Sequence, residues 1–477
     1  MTSLVLFRHD LRIDDHPALA HGAKQGPVLP VFLSDPREDR GAAYQWWLRQ
    51  SLRSLTQGLA DLGLPLICRR GHSEEILPQL IQESGATQVY WNRRYAQAER
   101  ERDQQLKSRL RQQGMVAESF PGDLLTEPWT LLRENQPFKV FTPFWKKFLQ
   151  SIEPAQPCSL PQHWLAAPRL PASENPDDWH WEPRNPDWAS PLLAYWQPGE
   201  PGAHQRWREF LDHRLRDYAK GRDFPALEKV SRLSPHLAHG EISPRRLWQM
   251  ARERAAAEPG LRPAVDKFLQ ELGWREFSWH LLYHFPQLPT EPLRAEFRHF
   301  PWQEDRTSLQ AWARGRTGYP MVDAGMRELW QTGYLHNRVR MIAASFLVKD
   351  LLLPWQWGAA WFWDTLLDAD PANNNASWQW VAGCGTDAAP YFRIFNPSLQ
   401  AAKFDPEGHY QRRWVPELAA LPNSALPSPW AYPETLESLG IQLGRDYPLP
   451  IIDHAVARER ALAAFQRISV RTGDHNL

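Results

Sequence analysis

Three side chains that could bind a flat polar ligand lie within about one helical turn of each other in segment 269–277. Glu271, Trp274 and Arg275 supply a carboxylate, an indole and a guanidinium, and their spacing of three and four residues places them on one face of a helix. Such a face could hydrogen-bond a planar ligand and stack on it. The alternative is a half-buried helix with one Glu-Arg ion pair, and this segment alone leaves both interpretations open.

A second segment, 333–341, is predicted as a helix that carries Asn337, Arg340 and Met341 at helical spacing. An amide can pair with the edge of a base, and arginine is suited to phosphate. The alternative is a solvated basic face. The pattern therefore fits a nucleic-acid ligand without requiring one.

The third segment, 368–380, has the least helical character. Five carboxylate and amide side chains occur within eight positions, and Trp378 and Trp380 follow them. The segment is either a plain polar loop, because Asp and Asn favour turns, or the lining of a cofactor pocket. A turn needs only one or two such residues, so the two interpretations are evenly balanced.

The composition sets limits on the class of protein. The chain of 477 residues contains 25 tryptophans, which can stack on bases or flavins but more often fill cores. Hydrophobic residues at 42% and charged residues at 23% are typical of a globular protein. Because the formal net charge is zero, any DNA binding must depend on a local patch.

Cysteine use and the N-terminus indicate the compartment. Three cysteines without a C-x-x-C pair fit a reducing environment, argue against structural zinc and predict no metal site. The apolar run at 3–7 is too short for a signal peptide, and no apolar stretch has the length of a membrane span. We therefore expect a monomeric, cytoplasmic enzyme without a membrane partner.

The elements that position these side chains follow a two-part pattern. Short apolar, β-branched runs, each followed by a longer amphipathic stretch, lie at residues 3–7, 28–33, 65–68 and 88–91. This alternation predicts βαβ units and a doubly wound parallel sheet.

The rest of the chain has a different character. A proline-dense stretch runs from 153 to 201, and helical periodicity dominates after residue 202. We therefore predict an α/β domain at 1–130, an inter-domain linker at 131–201 and an all-α domain at 202–477.

Five ordered blocks resemble the flavin domain of the photolyase/cryptochrome family. They are residues 274–277, 317–327, 336–338, 368–380 and 385–397. The opening at 7–12 is similar to the start of the same family, so the resemblance covers nearly the whole chain. Within the family the sequence most resembles bacterial cyclobutane pyrimidine dimer photolyases of the subgroup related to plant cryptochromes, the class III type.

The resemblance implies a deoxyribodipyrimidine photo-lyase, which repairs cyclobutane pyrimidine dimers in ultraviolet-damaged DNA by light-driven electron transfer from reduced FAD. The positions that match its lesion pocket are Glu271, Trp274, Asn337, Met341 and Trp380. The Trp faces would hold two flipped-out pyrimidines, and the Glu would bond their base edges. Members that repair (6-4) photoproducts usually have His-His where this chain has His336-Asn337. Arg338, Trp274 and Trp380 are expected to contact DNA.

The family resemblance also implies a folded FAD. The matching positions are Tyr218, Ser231, Arg232, Leu233, Ser234, Phe268, Arg275, Asn337, Arg340, Asp368, Asp370 and Asn374. Val230 replaces a common Thr, which removes one hydroxyl, and Phe268 stands where some members have Trp. Asn374 matches the residue that faces the flavin N5, where plant cryptochromes tend to carry Asp, and its amide can donate or accept a hydrogen bond there.

Two further features follow from the resemblance. Trp378, Trp355 and Trp302 match the tryptophan chain that carries electrons to the flavin. Glu99 matches an acid of the folate antenna site in some bacterial members, but Ala98 replaces a neighbouring Asn, so that pocket cannot be copied. The stretches 45–48 and 140–145 match the subgroup associated with 5,10-methenyltetrahydrofolate, which we expect as the second chromophore, with deazaflavin as the alternative.

Two other classes of function stay open on sequence grounds. One is a blue-light receptor of the cryptochrome type, against which Asn374 and the Glu271 and Trp274 positions argue. The other is an electron-transfer flavoprotein without DNA contact, which leaves the match to a lesion pocket unexplained.

Overall fold

The chain folds into two compact units that alternate along the sequence. The computed structural model describes residues 1–38, 40–179, 181, 187–391 and 393–471. Unit 1 consists of residues 1–216, 231–286 and 367–370, and unit 2 consists of residues 217–230, 287–366 and 371–477. The chain therefore leaves unit 1 and returns to it twice.

Unit 1 begins with alternating strands and helices. These are β1 (Ser3–Phe7), α1 (Pro17–Gln25), β2 (Val28–Ser34), α2 (Ala42–Asp61), β3 (Ile67–Arg70), α3 (Ser73–Ser84), β4 (Gln88–Asn92), α4 (Gln97–Gln112) and β5 (Val116–Phe120). The following elements are β6 (Leu132–Arg133), β7 (Gln136–Pro137), α5 (Phe141–Ser151), α6 (Glu200–Glu209), α7 (Leu215–Gly221), which ends in unit 2, α8 (Ser234–Ala238), α9 (Pro244–Ala257) and α10 (Arg262–His284).

The five long strands form a parallel sheet in the order β3-β2-β1-β4-β5. Leu4 and Leu6 of β1 are fully buried with Val31 of β2 and Val89 of β4, which explains why these strands appear as continuous apolar runs. The predicted doubly wound α/β fold is confirmed, and all four predicted strands are present. The fifth strand, β5, was not predicted, because its edge position leaves Val116 exposed and breaks the apolar run.

The proline-dense stretch lies against this sheet. The backbone N–H of Val28 donates to Leu165, and Ala167 donates back to Val28, at 2.7 and 3.0 Å. Residues 180 and 182–186 of the predicted linker lie outside the described part of the chain. The domain boundaries at 130 and 201 stay predictions.

Unit 2 is helical in its described residues. Its helices are α11 (Arg306–Ala313), α12 (Pro320–Thr332), α13 (Asn337–Ser345), α14 (Trp355–Thr365), α15 (Pro371–Ala382), α16 (Pro397–Phe404), α17 (His409–Trp414), α18 (Pro433–Ser438) and α19 (His454–Arg471). A π-helical turn, Phe346–Asp350, follows α13. Across the described ranges, no helix combines the length and apolar character that crossing a membrane requires.

The predicted helix at 333–341 is wrong in its first half. Gly333 has φ 64°, a left-handed conformation that ends α12, and α13 begins only at Asn337. His336 caps α13, because its Nδ1 accepts the N–H of Arg338 at 3.2 Å. Asn337 is therefore the first residue of a helix rather than an interior one.

The loop interpretation of residues 368–380 is wrong from residue 371 onward, where α15 begins. Pro371 suits the first helical position, because its φ is preset and its missing N–H is not needed there. The side chain of Asn375 donates to the carbonyl of Pro371 at 2.8 Å, so this polar residue is satisfied within the helix. Burial of Ala372 and Trp378 outweighs the turn preference of the asparagines.

Candidate functional site

Helix α10 positions the acid, indole and guanidinium of unit 1. Glu271 and Lys267 form an ion pair of 3.0 Å one turn apart. Arg275 donates to the carbonyl of Asp123 at 2.8 Å and to Glu276 at 3.3 Å. The Glu-Arg ion pair expected for a half-buried helix forms between Arg275 and Glu276, whereas Glu271 pairs with Lys267.

Trp274 lies in an aromatic stack. Its ring is parallel to that of Phe141 on α5, with centroids 3.7 Å apart and planes 10° apart. Phe141 is buried, whereas Trp274 is half-buried. The indole thus has one face fixed by protein while part of it stays accessible.

A buried acid follows directly on α10. Burial raises the pKa of Glu276 to about 7, although Arg275 and the backbone N–H groups of Leu125 and Thr126 oppose the rise. Burial and the charge of Asp10 also raise the pKa of Asp123. This part of unit 1 therefore contains two carboxyls whose charge is costly near neutral pH.

The segment 231–234 adopts a strained conformation. Arg232 has φ 53°, a left-handed value that a non-glycine residue reaches at a cost of about 1–3 kcal/mol. The Ser231 hydroxyl accepts the N–H of Leu233 at 3.4 Å, and Leu233 precedes α8, which starts at the exposed Ser234. A hydroxyl and a guanidinium on one preset turn are donors that suit a diphosphate, so these residues fit the flavin that the sequence implies.

Phe268, Asp368 and Asp370 are the remaining candidate flavin residues of unit 1. Phe268 packs against Trp207 and Phe210, with ring centroids 4.9 and 5.3 Å away, so it belongs to an aromatic core. Asp368 and Asp370 are both buried.

In unit 2, Asn337 and Met341 share one face of α13. The Asn337 amide nitrogen lies 4.0 Å from the sulfur of Met341, and Asn337 is exposed. Arg338 pairs with Asp223 at 3.0 Å and lies over the ring of Phe404 at 4.2 Å. Helix α13 therefore carries the Asn337 amide, the Met341 thioether and the Arg338 guanidinium, which its contacts with Asp223 and Phe404 orient.

Arg340 and Tyr218 are the other candidate flavin residues on the early helices of unit 2. Arg340 donates through Nε to the carbonyl of Leu335 at 2.6 Å, within the turn that leads into α13. Tyr218 is buried, and the guanidinium of Arg222 lies 5.6 Å from its ring centre.

Helix α15 carries Asn374, Trp378 and Trp380. The Asn374 amide donates to the carbonyl of Ala359 at 3.0 Å. Trp378 is buried against Phe362 and Trp312, with centroids 5.0 and 6.2 Å away, and its indole N–H has no hydrogen-bond partner among the described residues. Trp380 is half-buried.

The other two candidate relay residues meet at one cavity of unit 2. Trp355, which begins α14, is buried, and Trp302 is partly exposed; both line a cavity near Arg298. Trp302 also contacts Phe300 at 4.3 Å. The relay role of Trp302, Trp355 and Trp378 stays a prediction.

Glu99, the candidate antenna acid, is buried among arginines in unit 1. It lies 3.7 Å from Arg40 and 3.6 Å from Arg94, while Ala98 is exposed. His9, Glu38 and Glu99 bring their donor atoms within 4.8 Å of one another, a geometry that could hold a cation. Because arginines already pair with these acids, our expectation of no metal is kept as a prediction.

Trp46 and Trp47, from the stretch associated with the antenna, are core residues. Trp47 is fully buried and donates to Glu241 at 2.7 Å. The core role that most tryptophans have therefore applies to both.

Comparisons with known proteins match both halves of the chain. Residues 3–162 match the DNA photolyase family model, and residues 268–467 match the FAD binding domain of DNA photolyase. The chain is 47% identical to the deoxyribodipyrimidine photo-lyase of Agrobacterium fabrum, over 98% of both chains. It is 41% identical to cryptochrome-2 of Arabidopsis thaliana, over 98% of this chain and 79% of the cryptochrome.

A solved structure agrees with these matches. The crystal structure of a bacterial class III photolyase from Agrobacterium tumefaciens superposes with a TM-score of 0.95 at 46% identity, over 98% of each chain. The chain belongs to the photolyase/cryptochrome family, and its C-terminal half carries the family's FAD-binding domain. The predicted fold class and the predicted FAD are thereby confirmed, and the individual site residues stay predictions.

Sequence reasoning missed Phe141 as a neighbour of Trp274. From the sequence alone, the stretch 140–145 indicates only the subgroup. The available signal was the spacing of Phe141 and Trp145, which places two aromatic rings one turn apart on α5.

Proposed function

We propose that this protein is a deoxyribodipyrimidine photo-lyase that repairs cyclobutane pyrimidine dimers in ultraviolet-damaged DNA. The observation that carries the proposal is the exposed part of Trp274. This indole lies on the same helix as Glu271, and its ring is parallel to that of Phe141. An indole face beside a carboxylate can stack on a flipped pyrimidine and accept hydrogen bonds from its edge. The whole-length similarity to a named photo-lyase supports the same conclusion.

Reduced FAD, when bound and excited by light, supplies the electron that splits the ring of the dimer. The residues of the chain bind and orient. Ser231 and Arg232 would hold the diphosphate, and Asn374 would accept or donate a hydrogen bond at the flavin N5. Glu271 and Trp274 would contact the lesion, and Asn337, Met341 and Trp380 stay predicted lesion contacts.

Three finer features belong to this proposal. The second chromophore is 5,10-methenyltetrahydrofolate bound in the α/β part of unit 1, with deazaflavin as the alternative. The enzyme acts as a monomer. It works in the cytoplasm, as the three unpaired cysteines suggest.

The test is a repair assay. Chemically reduced protein is mixed with an oligonucleotide that contains one thymine dimer, illuminated with blue light, and restored thymines are measured against a dark control. Light-dependent restoration is expected. If no thymines are restored although FAD is bound and reduced, the protein is a receptor or an electron-transfer flavoprotein and the proposal is wrong.

An absorption spectrum of the purified protein tests the second chromophore. Folate and deazaflavin each add a near-ultraviolet or blue band to the flavin spectrum, and mass spectrometry of the released chromophore separates them. Released folate is the expected result.

A further inference from the structure

We propose that Phe141 is a positioning residue for Trp274, and that it holds the indole flat so that a base of the lesion can stack on its accessible part. The inference rests on the proposed repair function and deepens it. It concerns a residue from the stretch expected to link two domains, and it gives that stretch a role in recognition of the substrate.

The first observation is the geometry of the stack. Trp145, Phe141 and Trp274 form three nearly parallel rings: Phe141 is 6.2 Å and 12° from Trp145, and 3.7 Å and 10° from Trp274. Phe141 is the buried central ring, at 3% exposure. A central ring that is parallel to both neighbours restricts the rotation of Trp274, because any tilt of the indole meets the ring of Phe141.

The second observation explains how α5 reaches α10 so closely. A Cβ at Gly273 would lie 2.5 Å from two ring carbons of Trp145, so only glycine allows this approach. Gly273, which precedes Trp274, thus leaves room for the same aromatic stack. Phe144, one turn further along α5, packs on Phe277 with centroids 5.2 Å apart.

The third observation is an anchor at the start of α5. His280 on α10 accepts the N–H of Phe138 at Nε2 and donates from Nδ1 to the carbonyl of Pro128, at 3.0 and 3.2 Å. Burial lowers the pKa of His280 to about 4, which keeps the ring neutral and this pairing intact. The backbone that delivers Phe141 is therefore fixed to the same helix that carries Trp274.

These contacts favour positioning over simple core filling. Phe144 and Phe148 fill the buried side of α5, whereas Phe141 is the member whose ring lies on the half-exposed indole. Because Phe141 orients the Trp274 indole before binding, less conformational entropy is lost when a base stacks on it. We therefore expect a substitution of Phe141 to affect lesion affinity more strongly than it affects overall stability.

The experiment compares Phe141→Leu with Phe144→Leu. Both variants lose a buried ring, so both should unfold at a lower temperature. Only Phe141→Leu should weaken binding of a dimer-containing oligonucleotide, by about three- to tenfold for one lost aromatic pair. FAD content and the repair yield at saturating oligonucleotide should stay unchanged. Phe141→Tyr, which keeps the ring, should restore binding.

A double-substitution cycle keeps the test decisive if Phe141→Leu is poorly stable. In a Trp274→Ala background, Phe141→Tyr and Phe141→Leu should bind the lesion equally, because Phe141 acts only through the indole. A further loss with Leu in that background would overturn the proposal. So would an equal loss of lesion binding in Phe144→Leu. The repair assay on the unaltered protein tests the proposed function separately. If that protein shows no light-dependent repair, the proposed function is wrong, whatever the Phe141 variants show.

Discussion

Glu271 and Glu276 lie five residues apart on α10, and their surroundings give them different chemistry. Glu271 is partly exposed and paired with Lys267, and we expect it to bond the edge of a base. Glu276 is buried at 3% exposure, and burial raises its pKa to about 7. Residue type alone could not have separated the two, because the difference lies in the residues 123–126 that pack against Glu276.

Glu271→Ala should reduce the repair of a dimer-containing oligonucleotide at least tenfold while FAD remains bound. The reason is the loss of a charged acceptor for the base edge, worth about 1.5–3 kcal/mol. The measurement is the yield of restored thymines at limiting oligonucleotide. Asp266→Ala serves as the control, because Asp266 has the same (i, i+4) relation to a cation, Arg262, in the first turn of α10. Loss of FAD in Glu271→Ala would instead give Glu271 a flavin-binding role.

Because the pKa of Glu276 is raised, we predict that the free energy of unfolding falls as pH rises. Its folded pKa lies above the ordinary value of 4.5, so the unfolded chain releases this proton first. The contribution is fully present below about pH 4.5 and is lost as pH rises towards 7, by roughly 3 kcal/mol for the shift involved. We expect the difference in unfolding temperature between Glu276→Gln and the unaltered protein to favour the variant progressively from pH 5 to pH 8. A difference that does not change with pH would contradict the raised pKa.

At the scale of elements, α14 and α15 approach each other closely at Gly358. A Cβ at Gly358 would lie 2.1 Å from the Trp378 ring and 2.6 Å from Leu347. The indole that we expect to serve as an electron donor is thus packed against bare backbone. Helix–helix contact of this kind makes the position of Trp378 a property of two helices rather than of one residue.

Gly358→Ala should therefore displace Trp378. Overpacking of this kind costs about 1–3 kcal/mol, so the unfolding temperature should fall, and light-driven reduction of oxidised FAD should become slower. Gly260→Ala is the control, because a Cβ at Gly260 meets nothing within 4 Å. An unchanged rate of photoreduction together with a lower unfolding temperature would remove Trp378 from the relay.

Element prediction succeeded where local and tertiary preferences agree. The strand runs in β1, β2 and β4 begin where predicted, because buried parallel strands are apolar throughout their length. It failed at α15, where packing of Ala372 and Trp378 overrides the turn preference of three asparagines. It failed again at Gly333, where one glycine ends a helix that periodicity alone would extend.

For the whole molecule, a formal net charge of zero means that DNA affinity must come from a few placed cations. We expect Arg338, which contacts Asp223 and Phe404, to be one such cation. These two contacts restrict the orientation of its guanidinium.

We expect the logarithm of DNA affinity to fall linearly with the logarithm of salt concentration, by about 0.9 for each phosphate contacted. Arg338→Gln should weaken binding to damaged and undamaged DNA alike and reduce that slope by about 1. Arg445→Gln, at an exposed position paired with Asp446, should leave the slope unchanged. Binding that does not respond to salt would rule out phosphate contacts as the source of affinity.

The family and the flavin could be predicted from ordered sequence blocks, because those blocks contain Trp274, Arg275, Asn337, Asp368 and Asn374 of the candidate site. The division into units could not. Residues 367–370 belong to unit 1 and residues 217–230 to unit 2, and no change of composition marks either crossing. Such assignments arise from contacts between distant parts of the chain, which local patterns do not record.

That interleaving has a consequence for biosynthesis. Residues 1–216 leave the ribosome long before residues 367–370, and at about 5–20 residues per second the interval lasts roughly 8 to 30 seconds. During this time the parallel sheet can form, but the segment with the buried Asp368 and Asp370 has not yet been translated. Unit 1 is therefore completed only after residues 287–366 of unit 2 have been made. Until then, the position that residues 367–370 take in unit 1 stays unfilled.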